Sequence, residues 1–384
     1  MKYFNKSFIT LIACSSIISC NQKSEVPSST TAVDIPTTPS EKQTLDNCWA
    51  YGSASWLEAL LLRETGKSEN VSEAYFEYKY FEKQFQENPN LWELQQGTRP
   101  HRPMMFMKDY GYILEKDFIT DIQKTDKFSI EHIALLELEL SMESGKLSQD
   151  RSPETIKAEL DRAFGVNREQ FISKVKRKIG EKKLADIIEE WNYVDWSDIS
   201  INSTDIFRNG NLRESYVNDL HPEESEMMRN IIKAINQKEP IMLYWNVSFE
   251  AFDDKSGIFD YDYFGDKPME FTGGHLTIIK DYTAVVNNEN ITEGISKGNS
   301  EKLKEAEEHG IVTSFIVKNS WGRDHGYKYN GQGGYLKLNA NYLHSWLPKM
   351  LGPDKAIVGL FIPRKYTLGY EETQLVSPTD EVLE

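Results

Sequence analysis

The stretch Asn47-Cys48-Trp49-Ala50-Tyr51, continued by Trp56, Leu57, Leu60 and Leu61, decides how this chain is read. The large apolar residues recur at helical spacing, which predicts an amphipathic helix over 48–63 with Cys48 in its first turn. Asp46 and Asn47 are the candidate caps. A helix N-terminus carries partial positive charge from its free N–H groups and so favours a thiolate over a thiol. The sequence holds three cysteines. Cys14 is expected to leave with an N-terminal export signal and Cys20 to carry lipid, so Cys48 is the one free thiol expected in the mature chain, and it is a candidate nucleophile.

A thiol that attacks an amide carbonyl needs a base beside it, a group that orients the base, and donors for the oxyanion. Two later segments match these needs: Gly273-Gly274-His275-Leu276-Thr277, and Val317-Lys318-Asn319-Ser320-Trp321-Gly322. His275 is assigned as the acid and base, paired with Cys48 as thiolate and imidazolium. Asn319 holds the imidazole in plane, and Trp321 shields that hydrogen bond from water. Gly273 and Gly274 let the strand approach closely, and Gln43 joins the Cys48 backbone N–H as an oxyanion donor.

These residues resemble the papain superfamily of cysteine peptidases, and within it the branch of bleomycin hydrolase and bacterial aminopeptidase C. The resemblance lies in Cys48-Trp49 opening a helix, Gly274-His275 opening a strand, and Asn319-Ser320-Trp321-Gly322 followed by Gly333-Gly334-Tyr335. The branch is suggested by Val71-Ser72-Glu73-Ala74-Tyr75, by Lys108-Asp109-Tyr110-Gly111-Tyr112-Ile113, and by Ala234-Ile235-Asn236 leading into Pro240. The Cys-to-His separation also exceeds the roughly 130–150 residues of papain itself. Covering about 41–113 and 225–363, the resemblance implies an α+β, two-lobed fold with a helical left lobe, an antiparallel β-barrel right lobe and a cleft between them. It also implies Cys48 as nucleophile, His275 as acid/base, Asn319 as orienter and Gln43 as oxyanion donor.

Three departures stand out. The loop from Gln43 to Cys48 is one residue shorter than the family's usual spacing. At Gly97-Thr98 the family often has paired glycines whose backbone binds substrate as an extra strand, so Thr98 is expected to narrow a substrate site formed with Gly97 and Gly274. No inhibitory propeptide is recognisable between Cys20 and Gln43.

Residues 1–19 read as a lipoprotein signal: Lys2 and Lys6, an apolar stretch from Phe8 to Ile18, then Ser19-Cys20. That stretch is shorter than the roughly 20 residues a spanning helix needs. Cys20 is the expected lipidation site, with Cys14 second, which places the protein on a bacterial envelope through an N-terminal lipid. The Ser-, Thr- and Pro-rich composition of 20–40 predicts a disordered tether. A net charge of −16 argues against a nucleic-acid partner. No histidine pairs with cysteine at metal-ligand spacing, so neither metal nor cofactor is expected.

Residues 41–114 form the expected left lobe and 225–365 the right lobe. The intervening 115–224 read as a helical insertion, with helices predicted over 130–143, 154–164 and 168–192. Strands are predicted over 241–247, 276–283, 312–318, 334–338 and 356–362, with 286–310 a long excursion and 366–384 an acidic tail. The functional expectation is a cysteine peptidase acting on peptide or protein. The rivals are a cell-wall peptide amidase, against which Asn47 and Asn319 stand where Asp and a second His are usual, and a catalytically silent binding lipoprotein.

Overall fold

The computed structural model describes residues 35–119, 130–200, 222–265, 270–286, 289–291, 300–324, 326–349 and 352–370. The fold is α+β: a helical half and a sheet half each bury their own apolar core. The helical half is built from α1 (Cys48–Thr65), α2 (Glu73–Glu87), α3 (Arg102–Tyr110), α4 (Ile130–Glu143) and α5 (Pro153–Phe164). Ser72 caps α2 by accepting from the Tyr75 N–H, and Ser152 caps α5 by accepting from that of Thr155, each satisfying a helix-end donor. The core between them is aromatic. Tyr75, Tyr78, Phe118, Phe164 and Phe171 meet edge to face at centroid distances between 5.1 and 6.2 Å, the arrangement the ring quadrupole favours.

The sheet half contains β1 (Trp191–Asp195), β2 (Met242–Val247), β3 (Phe252–Asp253), β4 (Ile258–Phe259), β5 (Gly273–Val286), β6 (Ile311–Lys318), β7 (Gln332–Asn339) and β8 (Ile357–Pro363). Their order is β1-β8-β2-β5-β6-β7-β4-β3. All these pairs are antiparallel except β7 with β4. α6 (Pro222–Asn236) buries Met227, Met228, Ile231, Ile232 and Ile235 in the sheet core. The five strands expected from alternation and apolar runs are all present within a few residues of their predicted ends.

Three expectations are corrected. Residues 168–192 are not one helix: a helix at Arg168–Ile172 is followed by a hairpin of Lys178–Ile179 with Lys182–Lys183, a helix at Leu184–Glu189, and β1. Gly180, at φ 58°, makes the hairpin turn. β1 pairs with β8 through Val194 and Leu360, so tertiary pairing overrides the charged, helix-like local signal, and the middle stretch contributes an edge strand to the sheet. The excursion over 286–310 carries a short strand, Glu289–Ile291, and a helix, Ser300–His309, whose Ala306 enters the sheet core.

The tether does not reach residue 40. Ile35 is buried, its N–H donates to the Lys280 carbonyl at 3.1 Å, and its own carbonyl accepts from Lys280 Nζ at 2.8 Å. Thr38 and Ser40 are buried too, with hydroxyls that serve as hydrogen-bonding groups rather than as solvated linker. The expected lipidation sites Cys14 and Cys20 and most of the acidic tail lie outside the described residues. Among the described residues no helix is long and apolar enough to cross a membrane.

The halves meet where α1 packs on β5. A Cβ on Gly52 would lie 2.8 Å from Leu276 Cγ and 3.3 Å from the Leu276 carbonyl oxygen, so only glycine allows this approach. Cys48 stands about one helical turn before that contact, which brings it to the start of β5.

Candidate active site

Cys48 is the first residue of α1 and is buried. Its thiol donates to the Gly274 carbonyl at 3.7 Å. Asn47 occupies the N-cap position but makes no side-chain cap, and both its amide atoms are buried without a partner. The Asp46 N–H is held by Gln96 Oε1 at 3.0 Å.

His275 lies near the start of β5 and Asn319 one residue beyond β6. The β5–β6 register pairs Ile278 with Lys318, which carries the end of one strand to the beginning of the other. His275 Nε2 and Asn319 Oδ1 are 2.8 Å apart. With Oδ1 as acceptor, Nε2 carries the ring hydrogen and Nδ1 the lone pair, the nitrogen by which a neutral imidazole accepts a proton. Asn319 is itself fixed, its N–H donating to the Gly334 carbonyl at 3.0 Å and its carbonyl accepting from the Ser40 hydroxyl.

Trp321 stacks on the His275 ring at 5.3 Å with an interplanar angle of 23°. A second tryptophan was not anticipated: Trp245, opposite His275 in the β2–β5 register, meets the ring at 5.5 Å and 72°. The indole N–H of Trp245 donates to Thr277 Oγ1 at 3.2 Å, which fixes it as well. The imidazole is thus clamped between two indoles. Tyr244 is also new; a Cβ on Gly274 would fall 2.0 Å from its hydroxyl oxygen, so a side chain at 274 would have to displace the tip of that tyrosine. The same test finds open space at Gly273, which corrects the expectation that both glycines are needed for close approach.

Gln43 is placed beside the triad by the sequence C-terminal to β6. Its N–H donates to the Ser320 carbonyl at 2.8 Å and its Oε1 accepts from the Ser320 hydroxyl. One hydrogen of Nε2 goes to the Leu45 carbonyl at 3.0 Å, leaving the second for the cleft that Gln43 lines. That cleft encloses about 850 Å³ and is lined by Cys48, His275, Gly97, Thr98, Gly274 and Tyr244 among others. The Gly97 carbonyl accepts from the Tyr80 hydroxyl at 2.7 Å, so the backbone of this predicted substrate strand is held from behind.

Charge in the site departs from the sequence expectation. Burial pushes the Cys48 thiol up to about 11, with Asp46 adding to the rise and backbone N–H groups opposing it. Burial likewise lowers His275 to about 4, partly offset by Asn319. The helix end offsets only part of the desolvation, so the neutral thiol and neutral imidazole are the favoured forms rather than the expected ion pair.

A buried cluster behind the triad latches the two halves together. Lys318, adjacent to Asn319, donates to Glu58 Oε2 on α1 at 3.2 Å and to Thr38 Oγ1 at 2.8 Å. Thr38 also donates to Glu58, whose other oxygen accepts from the Val71 N–H at 3.0 Å. A buried pair is favourable only when its remaining bonds are satisfied, as they are here.

No protein-family profile matches the sequence, and no curated protein matches it. Two solved structures are similar to the chain over most of its length. PepW from Lactobacillus rhamnosis HN001 has 13% identity and a TM-score of 0.48, with 88% of this chain and 82% of that one covered. SERA5E from Plasmodium falciparum has 16% identity and a TM-score of 0.33, with 84% and 88% covered. Superpositions this loose carry no weight for function, which rests on the geometry of the site itself.

Proposed function

We propose that the protein is a papain-like cysteine peptidase that hydrolyses peptide bonds through a thioester on Cys48. His275 Nδ1 takes the thiol proton as sulfur attacks the scissile carbonyl carbon. The oxyanion that forms is met by the Cys48 backbone N–H and the second Gln43 amide hydrogen. The ring then gives its proton to the departing amine, leaving an acyl thioester. Water attacks that carbonyl while its proton passes to His275, and the carboxylic acid product leaves as the thiol is restored.

The observation that carries this reading is the Asn319-bonded, tryptophan-stacked imidazole lining the same cleft as a buried thiol that opens a helix. Peptide or protein is the matching substrate, because an extended chain fits a cleft with backbone along one side. The sequence of residues 1–20 supports export and attachment to a bacterial envelope through lipid on Cys20.

Fluorogenic peptides identical except for a free or blocked N-terminus test the activity and its type together. Wild-type cleavage should fall on the order of 10⁴-fold or more in Cys48→Ala, and nearly as far in His275→Ala. An undiminished rate in purified Cys48→Ala would remove the mechanism.

A further inference from the structure

The reaction above leaves two cations in the cleft unused. Arg99 and Arg102 line it together with Cys48 and His275, and both side chains are exposed. Asp46 is the one acidic residue among the lining residues, although the chain as a whole has 60 acidic residues against 44 basic ones. Neither guanidinium makes an ion pair or hydrogen bond with another described residue.

Local stability does not account for them. Arg102 opens α3, whose first turn has no acidic residue and whose N-cap, His101, makes no side-chain cap. A cation at a helix N-terminus faces the positive end of the helix dipole, which is unfavourable. The segment that presents the pair is nevertheless tied down at several points. Trp49 Nε1 donates to the Gln96 carbonyl at 2.9 Å, and the Tyr80 hydroxyl holds Gly97. The Gln84 side chain bonds both backbone groups of Gln95, at 2.8 and 2.7 Å. The arginines are therefore borne by backbone fastened to the nucleophile helix and to α2.

We propose that Arg99 and Arg102 form a carboxylate-recognising subsite of the catalytic cleft, selecting peptides that place a carboxylate there. This rests on the peptidase reading for the identity of the ligand. The planar, permanently charged guanidinium forks match carboxylate geometry, and a cleft is where exposed charges are least screened by solvent. The carboxylate belongs to an Asp or Glu side chain or to the C-terminus of the peptide.

The test separates binding from turnover. Full-length Cys48→Ala protein is titrated calorimetrically with three versions of one peptide: an amidated Glu form, an amidated Gln form, and the Gln form with a free C-terminus. At least one carboxylate form should bind roughly fivefold to tenfold more tightly than the amidated Gln peptide, and the arm that does so identifies the source. The advantage should vanish when Arg99→Gln and Arg102→Gln are added, and shrink with salt. Equal affinities for all three peptides, no binding of any, or a preference that survives both substitutions would overturn the proposal. Absence of wild-type cleavage alongside an arginine-dependent preference would instead refute the peptidase reading and leave the subsite standing.

Discussion

The two walls of the cleft position Cys48 and His275 by different means. On the sheet side, the His275 ring is bonded by Asn319, stacked on by Trp321 and met by Trp245 in a T-shaped contact, and each of these is anchored by its own backbone or side-chain bonds. On the helix side, Cys48 has one hydrogen bond and takes its place from where α1 lies, which the Gly52–Leu276 contact and the Glu58–Lys318 latch decide. His275 is oriented by several redundant local contacts. Cys48 depends on one rigid element packed at one close approach, so the walls should fail differently when perturbed.

The largest break is expected from Gly52→Val. Its branched side chain would overlap Leu276 and push α1 from β5, and overpacking of this kind costs about 1–3 kcal/mol. A displacement near 1 Å at a reacting atom can cost on the order of 100-fold in rate. Activity should fall by about that factor while the circular dichroism spectrum stays close to wild type; full activity would show that the approach does not place Cys48.

The protonation difference between the walls is next in size. A thiol near 11 beside a ring near 4 stays neutral at pH 7, so thiolate, the reactive form, increases with pH. Iodoacetamide alkylation of Cys48 should therefore rise about tenfold per pH unit between pH 7 and 9. A rate already level from about pH 5 would indicate a preformed thiolate–imidazolium pair, the form suggested by the helix end alone.

The smallest effect is expected from Asn319→Ala. One neutral hydrogen bond contributes a net 0.5–1.5 kcal/mol, equivalent to roughly twofold to tenfold in rate. The two indoles still hold the ring, so kcat for a fluorogenic peptide should drop within that range. A loss as large as that of His275→Ala would mean that the indole clamp contributes little.

What was legible in the sequence follows from how far each signal reaches along the chain. Cys48, His275 and Asn319 each sit in a short motif of tryptophan or glycine neighbours; the structure places Cys48 and His275 on one cleft, with Asn319 hydrogen-bonded to His275. Trp245 and Tyr244 sit in an apolar run that reads only as a buried strand; their place beside His275 and Gly274 comes from the β2–β5 register, which no local pattern encodes. Arg99 and Arg102 follow directly on Gly97-Thr98, so proximity to that predicted substrate strand was the available clue. Residues 35–40 were misread because buried serine and threonine with partners have the same composition as a solvated linker. β1 was misread because its flanks are rich in charge, and its pairing with β8 is a distant contact.

The segment that fastens the cleft has a consequence in time. Residues 38–43 run antiparallel to 318–323, with Lys42 bridged to Trp321, the Gly322 N–H donating to the Glu41 carbonyl, and Arg323 donating to the Ser40 carbonyl. The Ser40–Asn319 bond joins residues 279 apart in sequence. During synthesis α1 emerges well before β6 and the residues 318–323 that close this seam. Contacts of such separation form late, after the entropy of closing the intervening loop has been overcome. A nascent or C-terminally truncated chain that ends before residues 318–323 accordingly lacks this seam and, with it, the Asn319 partner of His275.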